Sequence, residues 1–264
     1  MTPLSVELRL HHVLSGRPGR DLLVLSHSFG ASMRLWDNVL PALEAEYRVL
    51  RYDMRGHGAS SAPAAPCTVH DLAGDVLGLL DSIHVEHALF CGLSIGGLIG
   101  MTLALHAPHR LNALVLANTA ARIGTPQMWD ERIALVHQAG LAPLIPSALE
   151  RGFTAAYRRD HNHEMQRAQQ MIAATSVEGY CAGCAVLRDT DLRERISAIQ
   201  VPTLVIAGAH DPVTTPSDGQ QLAAAVRGSR YVELPAAHLS AWERPQDFAR
   251  AILDFCPSER SNHG

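Results

Sequence analysis

The stretch FCGLSIGG, residues 90–97, has the form G-x-S-x-G, with Gly92, Ser94 and Gly96 at the fixed positions. It follows a short apolar run and precedes IGGLIGMTLALHA, whose apolar spacing is helical. A strand, a tight turn and a helix in this order are the context in which the motif carries chemistry. Glycines beside the serine let strand and helix approach, and the helix N-terminus directs free N–H groups at the serine oxygen. We therefore predict a nucleophile at Ser94; the alternative is a structural glycine turn with a bystander serine.

Apolar runs without polar alternation indicate strands buried on both faces, as in a parallel sheet. Four such runs are compact and a fifth is more mixed: LLVL at 22–25, ALFCG at 88–92, ALVLA at 113–117, TLVIAG at 203–208, and YRVLRYD at 47–53. Helical spacing lies between them, in the sets Trp36, Leu40 and Leu43; Leu72, Val76, Leu79 and Ile83; and Phe248, Ile252 and Phe255, with Pro245 at the start of the last. The pattern predicts an α/β fold with a mostly parallel sheet flanked by helices. We expect antiparallel edge strands between Val6 and Leu14.

The alternation of strands and helices breaks between about Arg122 and Ala198, where the pattern is mostly helical with Gly and Pro at the joints. We interpret residues 122–195 as a helical cap inserted into the α/β core. The core then consists of residues 1–121 and 196–264. The alternative is a set of ordinary crossover helices.

Charge and hydropathy exclude several classes of partner. The chain of 264 residues has 22 Lys and Arg against 26 Asp and Glu, scattered without a basic stripe, so we expect no nucleic-acid partner. No apolar run reaches the length of about 18 residues that a membrane span requires, and the N-terminal MTPLSVELRLHH has no secretory apolar segment. Five cysteines, an odd and sparse set, indicate reduced thiols. Together these features predict a cytoplasmic protein that does not bind membranes.

An acyl-transfer serine needs a base and an acid. In this type of fold the acid follows the serine along the chain, and the histidine follows the acid. Asp211 in AGAHDPVTTP follows an apolar strand, and His238 in LPAAHLSAWERP follows the strand-like SRYVEL. Both therefore lie at the sheet edge where open α/β folds place their sites. The competing acid Asp218 falls at a helix start and is expected to cap it. The competing base His210 is expected to be a loop residue.

Acyl transfer also needs two donors aimed at the developing oxyanion. We assign one to the backbone N–H of Ile95, directly after the nucleophile. The second is assigned to the N–H of Phe29 in the loop SHSFGAS, residues 26–32, where His27 is expected to order the loop. The loop RYDMRGHGAS, residues 51–60, is interpreted as a structural loop near the site, with direct substrate contact as the alternative.

The histidines and cysteines offer no convincing metal site. Three histidine pairs are closely spaced, but none has a third ligand nearby; they are His84 and His87, His106 and His109, and His161 and His163. Cys181 and Cys184 form a C-x-x-C without a second pair, within a helical pattern, where packing is the expected role. No dinucleotide motif follows the first strand. We predict neither a metal nor a cofactor.

The motifs SHSFG, YDMRGHGAS, GLSIGG, GAHDPVTTP and AAHLS together resemble the α/β-hydrolase superfamily over nearly the whole chain. Within it, the segments NTAARIG at 118–124 and RDTDLRE at 188–194, which bracket the cap, resemble the 3-oxoadipate enol-lactonases of aromatic catabolism. One departure is the oxyanion loop, which usually reads SNSLG in those enzymes and SHSFG here. The backbone donor is unaffected, but His27 and Phe29 could reshape the pocket.

This resemblance implies a serine hydrolase that opens a carboxylated enol-lactone through an acyl-enzyme on Ser94. The substrate carboxylate needs a cationic partner, for which Arg122 is the candidate; anchoring of the cap is the alternative role. Trp129 in the first cap helix is expected to form an apolar wall or to pack between cap and core.

Two other functions stay open at this stage. One keeps the same three residues but cuts simple carboxylic esters, or C–C bonds of ring-cleavage products. The other is a ligand-binding receptor on the same scaffold, which the intact set of Ser94, Asp211 and His238 argues against. Dehalogenase or epoxide hydrolase chemistry is disfavoured, because those enzymes use a carboxylate where this chain has Ser94.

Overall fold

The computed structural model describes residues 9–62 and 66–256. In these residues seven strands form one sheet in the order β1-β3-β2-β4-β5-β6-β7, with β1 antiparallel to β3 and every other neighbouring pair parallel. The strands are β1 His12–Gly16, β2 Leu22–Ser26, β3 Arg48–Tyr52, β4 Ala88–Leu93, β5 Leu111–Ala117, β6 Thr203–Gly208 and β7 Arg230–Leu234. The predicted mostly parallel α/β sheet is confirmed.

The central strands are buried along their whole length, which explains why their sequences do not alternate. Every residue of β2, β4 and β6 is buried. Along β2, Leu22 and Val24 pack into one core cluster and Leu23 and Leu25 into the other. Because both faces of the sheet are covered, both sets of side chains must be apolar.

Eleven α-helices are present in the described residues. They are α1 Leu40–Leu43, α2 Val69–Ser82, α3 Ile95–His106, α4 Pro126–Ala139, α5 Ile145–Gly152, α6 Ala155–Asp160, α7 Asn162–Ala173, α8 Val177–Asp189, α9 Pro216–Ala225, α10 Ser240–Glu243 and α11 Pro245–Phe255. Helices α2, α3 and α9 contribute to the core on one face of the sheet, and α1 and α11 to the core on the other. None of the helices in this part of the chain is long and apolar enough to cross a membrane.

Two of the predicted elements differ in extent from the structure. The edge strand expected from Val6 to Leu14 is β1, His12–Gly16, and residues 6–8 lie outside the described residues. Residues 9–11 do not extend the strand, because their backbone bonds to the loop that follows β3: Ser61 N donates to Arg9 O, and Asp53 N to His11 O.

The predicted helix through Trp36, Leu40 and Leu43 is two short pieces, a 3-10 turn at Met33–Trp36 and the helix α1. Pro41 lies in the first turn of α1, where its missing N–H costs nothing, so the helix starts there and does not continue from Trp36.

All five helices from α4 to α8 lie between β5 and β6, within the predicted cap of residues 122–195. The two connections to this segment are joined at its base. Leu192 N donates to Ala121 O over 2.9 Å, and the Arg122 guanidinium lies 3.4 Å from the Asp191 carboxylate. Residues 122–195 are called the cap segment below. Its last residues are bonded to residues 121–122, where the segment leaves the core, so its two ends are held together.

Candidate active site

Ser94 lies at the turn between β4 and α3, with φ 60° and ψ −116°. A non-glycine residue rarely adopts positive φ, and at this position the turn directs the serine side chain toward a cavity instead of along the strand. Gly92 and Gly96 make the turn possible. A Cβ on Gly92 would collide with the carbonyl of Gly96, and a Cβ on Gly96 with that of Ser26.

Asp211 and His238 come together from the loops that follow β6 and β7. His238 Nδ1 donates to Asp211 Oδ2 over 2.8 Å, and both residues are buried. The opposite ring nitrogen, Nε2, has no partner among the described residues, and Ser94 lines the same cavity as His238.

Asp211 is held as a carboxylate. Burial alone would raise its pKa, but the charge and hydrogen bond of His238 oppose this, as do donors from Asn118 and the Val213 N–H, and the pKa falls to about 2. Further donors are the N–H and the hydroxyl of Thr214, at 3.1 and 2.8 Å. The ionised acid therefore fixes the tautomer of His238 in which Nδ1 carries the proton.

Two residues after β5 hold this arrangement together, and sequence reasoning missed both. The Asn118 amide nitrogen donates to Asp211 Oδ2 over 3.0 Å and to Ala237 O over 3.2 Å, and its oxygen accepts from the Ser240 hydroxyl. Thr119 Oγ1 donates to Ser94 O over 2.7 Å. Both residues directly follow the apolar run ALVLA, and polar side chains at the end of a central strand are the sequence signal that points to them.

The N–H groups assigned to an oxyanion site lie beside Ser94. Ile95 is the first residue of α3, and Phe29 lies in the loop between β2 and the following 3-10 turn, whose residues line the cavity with Ser94. Within the described residues, neither N–H donates to a backbone acceptor. Both are therefore left to bind a group that enters the cavity.

Two buried histidines order the Phe29 loop. His27 donates through Nδ1 to Ser28 O and accepts the Met54 N–H at Nε2, over 2.8 and 3.0 Å. His57 accepts the Gly30 N–H over 3.2 Å. Both roles require neutral rings.

The electrostatics of these two rings favour the neutral form. Burial lowers the pKa of His27, the nearby His57 lowers it further, and it falls to about 3. Burial likewise lowers the pKa of His57. The loop 51–60 thus supports the loop that carries Phe29. Met54 does so through its N–H, which His27 accepts, and His57 does so by accepting the Gly30 N–H.

The cavity above Ser94 lies between the core and the cap segment. The core supplies the loop 28–31, Ser94, Val213, His238 and Leu239, and the cap segment supplies an apolar wall from Ile123, Trp129, Leu144, Met171, Ile172 and Leu187. Aromatic rings close one side: Phe29 lies 4.3 Å from Tyr180 and 5.8 Å edge-on from Trp129, between ring centroids. An apolar cavity with a few polar groups around a reactive side chain is typical of a small-molecule site.

The comparison with known proteins agrees with this geometry. Residues 21–245 match the family described as the alpha/beta hydrolase fold. The chain belongs to this family.

Individual relatives narrow the class of this α/β hydrolase. It is 40% identical to 3-oxoadipate enol-lactonase 2 of Acinetobacter baylyi, covering 95% of this chain and 94% of that protein. It is 35% identical to 3-oxoadipate enol-lactonase 1 of the same organism, covering 93% and 92%. The crystal structure of the enol-lactonase from Burkholderia xenovorans LB400 matches with a TM-score of 0.92 and 41% identity, covering 94% of this chain and 96% of that one. The protein is accordingly a carboxylic ester hydrolase.

Arg122, the sequence candidate for a carboxylate partner, is not brought into the cavity of this hydrolase. Its guanidinium pairs with Asp191 at the base of the cap segment, which is the anchoring role kept as the alternative. The next residue, Ile123, does line the cavity, whereas the Arg122 side chain pairs with Asp191 at the junction of the cap segment and the core. Sequence reasoning missed the arginines that do line the cavity, Arg132 and Arg151.

Trp129 lies in the first helix of the cap segment, α4. It lines the cavity, and its indole N–H donates to Ile123 O over 2.8 Å, where the cap segment leaves the core.

The competing residues have structural roles. Asp218 caps α9 in a reciprocal arrangement with Thr215, as expected. Cys181 and Cys184 are buried on α8, and burial raises the pKa of both thiols. In residues 9–62 and 66–256 no three or more metal-ligating side chains gather into a metal site.

Proposed function

We propose that this hydrolase opens a carboxylated enol-lactone, 3-oxoadipate enol-lactone, to 3-oxoadipate through an acyl-enzyme on Ser94. The observation that carries the proposal is that one cavity contains Ser94, His238 and two arginines, Arg132 and Arg151. The names of the relatives at 40% and 35% identity support the same substrate.

The reaction begins when Ser94 Oγ attacks the lactone carbonyl and His238 Nε2 accepts its proton. Asp211 stabilises the resulting imidazolium through the hydrogen bond at Nδ1. The N–H groups of Ile95 and Phe29 stabilise the oxyanion. The ring C–O bond then breaks, the departing enol oxygen takes the proton from His238, and the enol tautomerises to the ketone.

Deacylation repeats the same chemistry with water. His238 removes a proton from a water molecule that attacks the acyl carbonyl, and Ser94 leaves with that proton. The products are the free enzyme and the 3-oxo dicarboxylate. An enol is a good leaving group. In acylation, the role of His238 as an acid toward the enol oxygen therefore matters less than its role as a base toward Ser94.

Arg132 and Arg151 are positioned to bind the substrate carboxylate. Neither guanidinium forms a salt bridge within the described residues, although the cavity is mostly apolar. Burial lowers the pKa of Arg151, and the positive charge of Arg132 lowers it further, which means that the two cations lie close together. Arg132 also lies over the Trp129 ring at 5.2 Å. Two close, unpaired cations in an apolar site favour an anionic ligand.

A simple carboxylesterase is the second candidate, and the apolar wall of the cap segment is the observation in its favour. Such a wall would accept an uncharged acyl chain as well. The arginine pair favours the carboxylated lactone, because a site for neutral esters alone gains nothing from two adjacent cations in its wall.

The experiment that tests the proposal follows the loss of 3-oxoadipate enol-lactone by absorbance, beside a panel of p-nitrophenyl esters of uncharged acids. The proposal predicts a kcat/KM for the enol-lactone well above that for every uncharged ester. Turnover of the esters with none of the enol-lactone would support the carboxylesterase instead.

A further inference from the structure

The loop that carries His238 is hydrogen-bonded directly to the helix that carries Arg151. His238 N donates to Arg151 O over 3.3 Å, and Leu239 N donates to Gly152 O over 2.9 Å. The two acceptors are the last carbonyls of α5, which have no partner within their own helix. The position of the catalytic base therefore depends on the end of a cap helix.

A buried carboxylate makes a second link between the same two segments. Glu243, which is 4% exposed, accepts the Ala237 N–H and the Thr154 N–H at Oε2, both over 3.1 Å. Its other oxygen accepts the Thr154 hydroxyl. Ala237 directly precedes His238, and Thr154 is the N-cap residue of α6, two residues after the end of α5. Glu243 thus joins the base loop to the cap segment three residues beyond Arg151.

Packing reinforces this junction. A Cβ on Gly152 would lie 3.3 Å from the Leu239 side chain, so α5 and the base loop are already in close contact at this point. Both residues line the cavity beside His238 and Arg151. A displacement of α5 would therefore be transmitted to the base.

We propose that Glu243 is a positioning residue that couples the cap to the catalytic base, so that an anion bound at Arg151 fixes His238 in its working position. This inference rests on the carboxylate site proposed above. It predicts that a substrate carboxylate raises kcat and does not act on KM alone. Binding energy from a remote part of the substrate is then used at the reacting atoms.

A matched pair of substrates tests the coupling without the enol-lactone: mono-p-nitrophenyl adipate, which ends in a carboxylate, and p-nitrophenyl hexanoate, which does not. The measured quantity is the ratio of their kcat values. The wild-type ratio is expected to exceed one. We expect Glu243→Leu, which leaves two buried N–H groups without an acceptor, to lower kcat for the adipate ester by about tenfold and to bring the ratio toward one.

Three further variants separate coupling from general damage to the fold. Glu243→Gln retains an acceptor for both N–H groups, with Thr154 accepting from the amide, and should restore the ratio. Thr154→Val removes the cap-side hydroxyl, which also accepts the Tyr157 N–H at the start of α6, and should lower the ratio while kcat for the hexanoate ester stays near wild type. Asp191→Asn weakens the other end of the cap segment, away from His238, and should leave the ratio unchanged.

The outcomes distinguish this inference from the function it rests on. A wild-type carboxylate effect confined to KM, or a ratio that survives both Glu243→Leu and Thr154→Val, would overturn the coupling and leave the arginine site intact. Equal kinetics of the two esters in the wild type would overturn both the arginine site and the coupling. Enol-lactone turnover, measured separately, decides the function itself.

Discussion

Asn118 links the acid to the loop that carries the base, although no motif points to it. It bonds to the acid, to the backbone just before the base, and to Ser240, and it has φ 43°. An asparagine tolerates this backbone conformation better than most residues. Asn118 therefore has two roles: its backbone adopts positive φ, and its side-chain amide forms hydrogen bonds in the site.

Replacing Asn118 separates these two roles. Asn118→Ala loses the amide and strains the backbone, whereas Asn118→Gly loses the amide but accepts positive φ. If the amide positions Asp211, both variants should lower kcat by about tenfold with little change in KM. Steady-state kinetics on one ester decides the point, and wild-type kcat in the glycine variant would reduce the residue to a backbone role.

The pKa of Asp211 predicts a pH-dependent contribution to stability. Its pKa falls from the ordinary 3.8 to about 2 in the folded protein, so the unfolded chain binds this proton more tightly. The stabilisation is present above pH 4 and is lost as the pH falls toward 2; it amounts to about 2 kcal/mol. We expect the free energy of unfolding of the wild type to fall more steeply in this window than that of Asp211→Asn. Parallel curves would contradict the assignment.

One substitution each distinguishes the cavity arginine Arg151 from Arg122, which lies at the base of the cap segment. Arg151→Met should raise KM, lower kcat, or both for a carboxylated substrate, by about tenfold in kcat/KM, and leave an uncharged ester nearly unaffected. Arg122→Met, which removes only the pair with Asp191, should alter neither. A selective loss for the carboxylated substrate in Arg122→Met would restore the sequence interpretation.

At the scale of elements, the buried strands and the turn at Ser94 could be predicted from sequence because each depends on local pattern. Uninterrupted apolar runs indicate strands covered on both faces, and glycines beside a serine indicate a close approach of strand and helix. The side chains of the cap segment could not be assigned in this way. Arg122, Arg132 and Arg151 are alike in sequence, and only the way the cap helices fold back decides which of them faces the cavity.

The oxyanion loop gives a prediction at the same scale. Because the pKa of His27 falls from 6.5 to about 3 in the fold, protonation opposes folding. Stability is complete above pH 6.5 and falls below it, by about 2–3 kcal/mol at pH 4.5.

We expect His27→Asn, whose side-chain oxygen can still accept the Met54 N–H, to lose less stability than the wild type between pH 6.5 and 4.5. Chemical denaturation at several pH values measures this. Equal losses in the two proteins would show that His27 does not set the acid sensitivity of the loop.

At the scale of the whole molecule, the parallel sheet places its chemistry at one edge. Ser94 follows β4, Asn118 follows β5, Asp211 follows β6 and His238 follows β7, so four neighbouring strands deliver these residues to one edge of the sheet. The cap segment leaves the sheet after β5 and returns before β6, and it closes the cavity over this edge. The placement of Ser94, Asp211 and His238 after strands could be predicted from the motif order, whereas the hydrogen bonds between α5 and the base loop depend on long-range packing.

The central claim is that Ser94 carries the opening of a carboxylated enol-lactone, and the most direct measurement is the rate of 3-oxoadipate enol-lactone loss with wild-type and Ser94→Ala protein of equal thermal stability. We predict rapid turnover by the wild type and a decrease of kcat by about a thousandfold or more in the variant. Comparable rates in the two proteins, or no turnover of this lactone by the wild type, would contradict the claim.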